Sequence, residues 1–218
     1  MKQTILLQVL TCVVVGYLLG SVSPSFLIGL VKGYDPRREG SGNAGASNTV
    51  ILVGKLAGLV VALLDILKAA GSWWLCAAMF PQLRLAGYFA GVSAILGHMF
   101  PIWLRFHGGK GLACLGGVVI ACDWRSVLLL LAIALGIALV TRYVAIATVS
   151  MSLIWPVYHG LTTGFWLGAA VLLIPALPIL LRHIPNFRRI RRGEELRMSF
   201  LWDKQSELDR IGYKDSEE

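Results

Sequence analysis

A chain of 218 residues that is 56% hydrophobic, 15% charged and has a mean hydropathy of +0.71 carries more apolar surface than a soluble domain of its size can bury. Its long apolar runs lack the period-two alternation of a membrane barrel, so an all-α, polytopic integral membrane protein is expected and a soluble enzyme is excluded. The formal charge of +8 would suit nucleic acid, but the basic residues fall in short loops beside apolar runs and in the tail; topology accounts for them, and no nucleic-acid partner is expected.

The first run begins like a signal peptide, with Lys2 before apolar residues. It continues past any ordinary h-region with no small-residue cleavage site, and is read as a first spanning helix. Seven spans fit, over 5–31, 49–80, 85–101, 112–121, 126–141, 143–159 and 165–181. The fourth is shorter than the ~20 residues of a perpendicular span, so it either starts partway into the bilayer or draws the adjoining glycine loop in with it. Pro24, Pro156, Pro175 and Pro178 are tolerable inside spans whose neighbours satisfy the freed carbonyls. Lys32, Arg37, Arg38, Lys55, Arg105, Lys110, Arg142 and the tail from Arg182 lie on one side, against Lys2, Arg84 and Arg125 on the other. The first side is therefore expected to be cytoplasmic, with the N-terminus out and the C-terminus in.

One membrane domain, 1–185, is expected, followed by a basic cytoplasmic tail, 186–218, with an acidic end; the tail suits the interface with anionic lipids. Cys12, Cys76, Cys114 and Cys122 form no CxxC or Cys/His cluster, and neither a disulfide nor a metal site is expected of them.

Between the first two runs lies a polar, glycine-rich loop, 37–48. Gly40, Gly42 and Gly45 let backbone approach another group closely, while Ser41, Asn43, Ser47 and Asn48 add short polar groups beside N–H groups able to hold an anion. The bland alternative is a surface turn. The spacing of these glycines matches the dinucleotide fingerprint, with Asp65 about twenty residues on. That match is rejected, because the preceding run is too long for a strand and Asp65 lies inside an apolar segment.

A second loop, 102–111, places Lys110 among Gly108, Gly109 and Gly111. It is not a Walker A loop, since Leu104 and Gly111 stand where a glycine and a hydroxyl are needed. A lysine between glycines nevertheless suits phosphate, and two such loops on one face count against simple helix packing. Asp65 and Lys68, three apart, read as a structural ion pair. Arg142 and Arg182 at inner helix ends suit either snorkelling or phosphate contact, and His98 and His183 either a general base or a capping group.

Gly-Ser-Gly-Asn-Ala-Gly-Ala-Ser-Asn at 40–48, Asp65 with Lys68, Gly-His-Met-Phe-Pro at 97–101, Gly-Gly-Lys-Gly at 108–111, Thr-Arg-Tyr-Val at 141–144 and Arg182, His183 and Asn186 occur in this order. Over about residues 16–195 the chain thereby resembles the bacterial acyl-phosphate:glycerol-3-phosphate acyltransferases. The resemblance implies seven spans, a cytoplasmic active site in the inner membrane, and acyl phosphate and glycerol 3-phosphate as substrates in the first acylation of phospholipid synthesis. It puts Ser41, Ser47 and Asn48 in a first active-site motif, Lys110 in a second and His183 and Asn186 in a third, and it matches Arg37. Ile51 stands where the family has arginine, and Pro185 where it usually has an acid. Lys55, expected one turn deeper on the same helical face as Ile51, is the nearest group to supply the missing charge, so Ile51→Arg is expected to raise acceptor affinity or leave it alone.

An acyl phosphate is already an activated anhydride. Neither metal, cofactor nor covalent nucleophile is needed, and a substrate phosphate oxygen can take the hydroxyl proton. A monomer is expected. The alternatives are a relative with another acceptor, suggested by Ile51 and Pro185, and a transporter of a small phosphorylated anion, against which the groups cluster at the membrane edge and not at the midplane.

Overall fold

Ser23 and Pro24 break the first apolar run in the computed structural model, which describes residues 2–212. Helix α1, Lys2–Ser21, ends there, and α2, Pro24–Lys32, starts with proline at N1 and with the Ser23 hydroxyl accepting from Phe26 N at 3.3 Å. Pro24 thus opens a new helix within the stretch Gln3–Lys32, which as a whole is long and apolar enough to cross a membrane, as expected of a proline inside a span.

The run expected over 49–80 is likewise two helices, α3, Ala46–Leu52, and α4, Lys55–Met79. Gly54 separates them at φ 126, a conformation that other residues rarely adopt. Ile51 is buried on α3, whereas Lys55 opens α4 and is exposed. The expected shared face does not exist, and Lys55 is not placed to replace a charge at position 51.

The chain continues through α5, Ala86–Met99; α6, Leu112–Asp123; α7, Val127–Thr141; α8, Val144–Thr163; α9, Trp166–Leu173; α10, Ala176–Arg192; and α11, Lys204–Arg210. Short 3-10 turns at Ile102–Leu104, Trp124–Ser126 and Met198–Leu201 join some of them, and no strand occurs among the described residues. Among the described residues six helical stretches are long and apolar enough to cross a membrane; the expected fourth and fifth runs both lie within one of these, Leu112–Thr141. Their separation inside it has a local cause. The Asp123 carboxylate accepts from Arg125 N and from the Ser126 hydroxyl, which closes the turn between α6 and α7.

Small residues bring the helices into backbone contact. Gly16 and Gly20 of α1 lie on the backbone of Ala90 and Ala94 in α5, Gly97 lies on that of Tyr17, and Gly117 of α6 lies on the Ile66 carbonyl of α4. Lipid tails offer helices no hydrophobic drive to associate, so close van der Waals packing of this kind supplies it. Trp73, Tyr88, Ile95, Met99, Val118 and Trp155 fill the interior, while Leu6, Leu10 and Val14 of α1 and Leu56, Leu63 and Leu67 of α4 face outward. Cys12, Cys76 and Cys114 are buried and all four cysteines are free.

After α10, Gly193 at φ 76 reverses the chain. The segment that follows folds back onto the membrane domain. Met198 N donates to Arg142 O at 2.7 Å and Lys204 Nζ donates to Ile51 O at 2.7 Å. The acidic end named from sequence, 213–218, lies outside the described residues.

Candidate active site

The first loop is shaped around Asn48. This side chain is fully buried; its Nδ2 donates to Pro36 O at 2.8 Å and Glu39 O at 3.0 Å, and its Oδ1 accepts from Ser41 N at 2.7 Å. The amide is engaged with its own loop, so Asn48 fixes the path of that loop. Gly40, at φ 61, is required here, because a Cβ would collide with Asn48 Oδ1. Ser41, Gly42 and Ser47 are exposed, and Asn43 is partly so.

Arg37 ties this loop to the second one. It pairs with Asp35, Nη2 to Oδ2 at 2.7 Å, and its Nη1 donates to Leu104 O at 3.1 Å. Hydrogen bonding to Arg37 holds the Asp35 carboxyl below its usual range. The loops also approach directly, since a Cβ on Gly45 would lie 3.9 Å from Gly109 Cα.

The glycine loop around Lys110 is clamped from two sides. Gly108 N and Gly109 N donate to Met99 O and His98 O at 3.2 and 3.1 Å, and Arg182 Nη2 from α10 donates to Gly108 O at 2.8 Å. A side chain at Gly109 would collide with the His98 ring. His98 rests in turn on the ion pair expected from sequence. Lys68 Nζ is 2.7 Å from Asp65 Oδ1, and His98 Nδ1 is 3.2 Å from Asp65 Oδ1 and 3.1 Å from Lys68 Nζ. Lys68 also donates to Val22 O at 2.6 Å. Donor atoms of Asp65, His98 and Cys114 come within 4.8 Å of one another, but the Lys68 ammonium bonded to Asp65 and His98 makes this a charge network hostile to a metal cation.

Three further cationic or polar groups lie along α10. His183 is buried, with Nδ1 2.7 Å from Ile179 O, so this nitrogen carries the proton and Nε2 is left as an acceptor. Asn186 donates from Nδ2 to Glu195 Oε1 at 2.5 Å, while its buried Oδ1 has no hydrogen-bond partner among the described residues. Arg189 Nε donates to Glu195 Oε2 at 2.6 Å. Burial pushes the Lys110 ammonium down to about 8; Glu195 opposes that shift, and Arg189 and Arg182 reinforce it.

A cavity of about 220 Å³ lies beside Glu195, lined by Gly40, Ser41, Arg189 and Glu195 and by the apolar Ile51 and Leu208. An apolar groove of about 570 Å³ runs between α2 and α4 past Leu27, Ile28 and Leu64 and reaches Lys68. The residues expected in the site thus fall into groups. Ser41 lines the cavity, Asn186 reaches its wall through the hydrogen bond to Glu195, the charge of Lys110 acts on Glu195 and on His183, and Asn48, Gly108 and Gly109 shape the two loops. Gly111, at φ 94, lies against Met99 and Ile179. Arg142 stands apart: its side chain is exposed, and its carbonyl holds the tail. Sequence reading missed Arg189, Glu195 and Leu208. The arginine run closed by Gly193, Glu194 and Glu195 was the available signal, because a helix stop followed by acids turns carboxylates back toward the preceding cations.

Residues 10–193 match the family described as glycerol-3-phosphate acyltransferase. The chain is 34% identical over 201 residues to glycerol-3-phosphate acyltransferase 1 of Oceanobacillus iheyensis, covering 88% of this chain and 95% of that one. It is 37% identical to the glycerol-3-phosphate acyltransferase of Shewanella halifaxensis, covering 88% and 97%. Among solved structures, it is similar to the integral membrane glycerol 3-phosphate acyltransferase PlsY in its glycerol 3-phosphate form, with a TM-score of 0.79, 32% identity and coverage of 90% and 98%. The lysophosphatidic acid form of PlsY gives 0.75, 33%, 87% and 94%. By sequence and fold together, this chain belongs to the glycerol-3-phosphate acyltransferase family.

Proposed function

We propose that this acyltransferase moves an acyl group from an acyl phosphate to the sn-1 hydroxyl of glycerol 3-phosphate, giving 1-acylglycerol 3-phosphate on the cytoplasmic side of the bacterial inner membrane. The observation that carries the reading is the meeting of two glycine-rich loops, Gly45 against Gly109, with the charge of Lys110 acting on Glu195 and Arg189, which line one small cavity together with Ser41. Two phosphate-bearing substrates repel one another. A cation among N–H-rich loops offsets that repulsion and holds hydroxyl and carbonyl in reach.

In the reaction the sn-1 oxygen bonds to the carbonyl carbon, the carbonyl–phosphate C–O bond breaks, and inorganic phosphate leaves. The hydroxyl proton passes to a phosphate oxygen. Lys110 stabilises phosphate charge, and the Ser41 hydroxyl and the loop amides add donors. Asn186 Oδ1 and His183 Nε2 are acceptors suited to orienting a glycerol hydroxyl. The acyl chain stays on the lipid side, for which the apolar groove between α2 and α4 has the shape and the lining.

Seven passes, with the N-terminus out and the C-terminus in, go with this reading. The stretch Leu112–Thr141 starts beside Lys110, whose charged neighbours include Glu195, and ends beside Arg142, whose carbonyl holds Met198. Both ends therefore meet the same tail, which supports an out-and-back pair of passes, α6 and α7. A membrane domain, 1–185, and a cytoplasmic tail, 186–218, follow, with exposed Arg188, Arg191 and Arg192 available to anionic lipids in a monomeric enzyme.

The test is an assay of purified protein with palmitoyl phosphate and glycerol 3-phosphate, with acyl-CoA as control donor. Product from the phosphate donor alone supports the reading. Transfer only from acyl-CoA, or no transfer to glycerol 3-phosphate, overturns it.

A further inference from the structure

The tail beyond α10 is built, not draped. Glu207 is buried, accepts from Arg197 N at 3.2 Å and the Ser199 hydroxyl at 2.7 Å, and pairs with Arg210 at 2.7 Å. Arg210 reaches on to Gly193 O at 2.7 Å and Glu195 O at 2.6 Å, closing the segment into a clasp. Asp203 caps α11 by accepting from Ser206 N. The clasp is fixed to the membrane domain at two distant points, Met198 on Arg142 O and Lys204 on Ile51 O.

This arrangement presents Leu208, 5% exposed, and Ile211 to the cavity that Ser41 and Arg189 line, with Ile51, itself 8% exposed, on the same wall. The described tail therefore lines part of the cavity, through Glu194, Glu195, Leu196, Leu208 and Ile211, and is no separate appendage. A charged side chain at 51 would have to displace it, because its ammonium anchor and apolar cover both sit there.

We propose that the segment 194–211 is a wall of the acceptor pocket, and that Ile51 is its seat, so that acceptor affinity in this enzyme depends on a docked tail with Arg189 as the pocket cation. The inference rests on reading that cavity as the glycerol 3-phosphate site. Within it, Leu208 and Ile211 restrict the space around the glycerol backbone, and Glu195 aligns Arg189.

The test is steady-state kinetics of the full-length enzyme and of Leu208→Ser, Ile211→Ser and Glu207→Ala, with each substrate varied in turn. KM for glycerol 3-phosphate is expected to rise by about tenfold in each variant, while KM for palmitoyl phosphate holds. Ile51→Arg is expected to raise the same KM, because the new side chain opposes the docked tail. Folding of every variant is checked by gel filtration in detergent, and the serine variants keep the proposal testable if Glu207→Ala or Ile51→Arg does not fold. Unchanged acceptor KM in folded serine variants overturns the wall while leaving the acyltransferase reading intact. No transfer by the unmodified enzyme would instead overturn the functional reading beneath it.

Discussion

Glu195 Oε1 takes a hydrogen bond from Asn186 Nδ2 at 2.5 Å, so a residue just past the end of α10 reaches back nine positions to orient a group expected in the site. The same carboxylate holds Arg189 at 2.6 Å and faces Lys110. One acid thus sets the orientation of an amide and a guanidinium and stands near the ammonium.

Replacing it separates those effects. Glu195→Gln keeps the side chain's shape but loses the charge-assisted bond to Arg189 and leaves the excess of positive charge around Lys110 unopposed. A charge-assisted bond contributes about 1.5–3 kcal/mol, so kcat/KM is expected to fall by roughly ten- to hundredfold. Kinetics on the folded variant check this. Wild-type kcat/KM would remove Glu195 from the positioning of the site.

Lys110 gives a pH dependence of definite sign. Burial lowers the ammonium to about 8, so it is charged below that pH and neutral above it. Glycerol 3-phosphate binding is therefore expected to weaken as pH rises through about 8, because a phosphate whose second pKa is about 6 stays dianionic there while its cation is lost. Lys110→Arg stays charged, so its binding is flat across this range, yet its transfer is poor since a forked guanidinium does not replace a compact ammonium between glycines. Lys110→Ala is expected to lose nearly all transfer. Calorimetric titration at pH 7 and pH 9.5 separates these outcomes; equal affinity of the unmodified enzyme at both would take Lys110 off the phosphate.

What could be read from sequence was what local chemistry dictates. The apolar runs gave the helices, the glycine clusters gave both loops, and three-residue spacing gave the Asp65 and Lys68 pair. The breaks at Ser23 and Gly54 carried ordinary Pro and Gly signals, but long apolar continuity outweighed them, and from that error came the mistaken placing of Lys55. Docking of the tail was not legible. It depends on Lys204 meeting Ile51 across 153 positions, which no periodicity encodes. Asn48 shows the converse limit: its motif was recognised, while its engagement with Pro36, Glu39 and Ser41 needed the loop's own path.

Topology can be tested apart from catalysis. Gln3 and Gln205 are exposed at the two ends of the described chain. With the native cysteines replaced by alanine, Gln3→Cys is expected to react with an impermeant thiol reagent in intact cells whose outer membrane has been permeabilised, and Gln205→Cys only after the inner membrane is broken. The reverse pattern would place the polar loops and Lys110 outside, away from cytosolic glycerol 3-phosphate.

The last prediction concerns the charge network beneath the second loop. Asp65 is 1% exposed and offers one oxygen both to Lys68 Nζ at 2.7 Å and to His98 Nδ1 at 3.2 Å. Removing one partner of a buried pair leaves the other uncompensated, so Asp65→Ala is expected to destabilise the protein by about 3–5 kcal/mol. Lys68→Met is milder, because the thioether fills much of the stem's volume and His98 can still pair with Asp65. His98 also bears on Gly109, whose Cβ has no room against the ring. Gly109→Ala is therefore expected to displace the Lys110 loop and abolish transfer, while the combination with His98→Ala, which vacates that space, recovers part of it. Thermal unfolding in detergent ranks the first two variants, and transfer assays compare the last two. Activity of Gly109→Ala equal to that of the unmodified enzyme would show that the histidine does not set the loop's position.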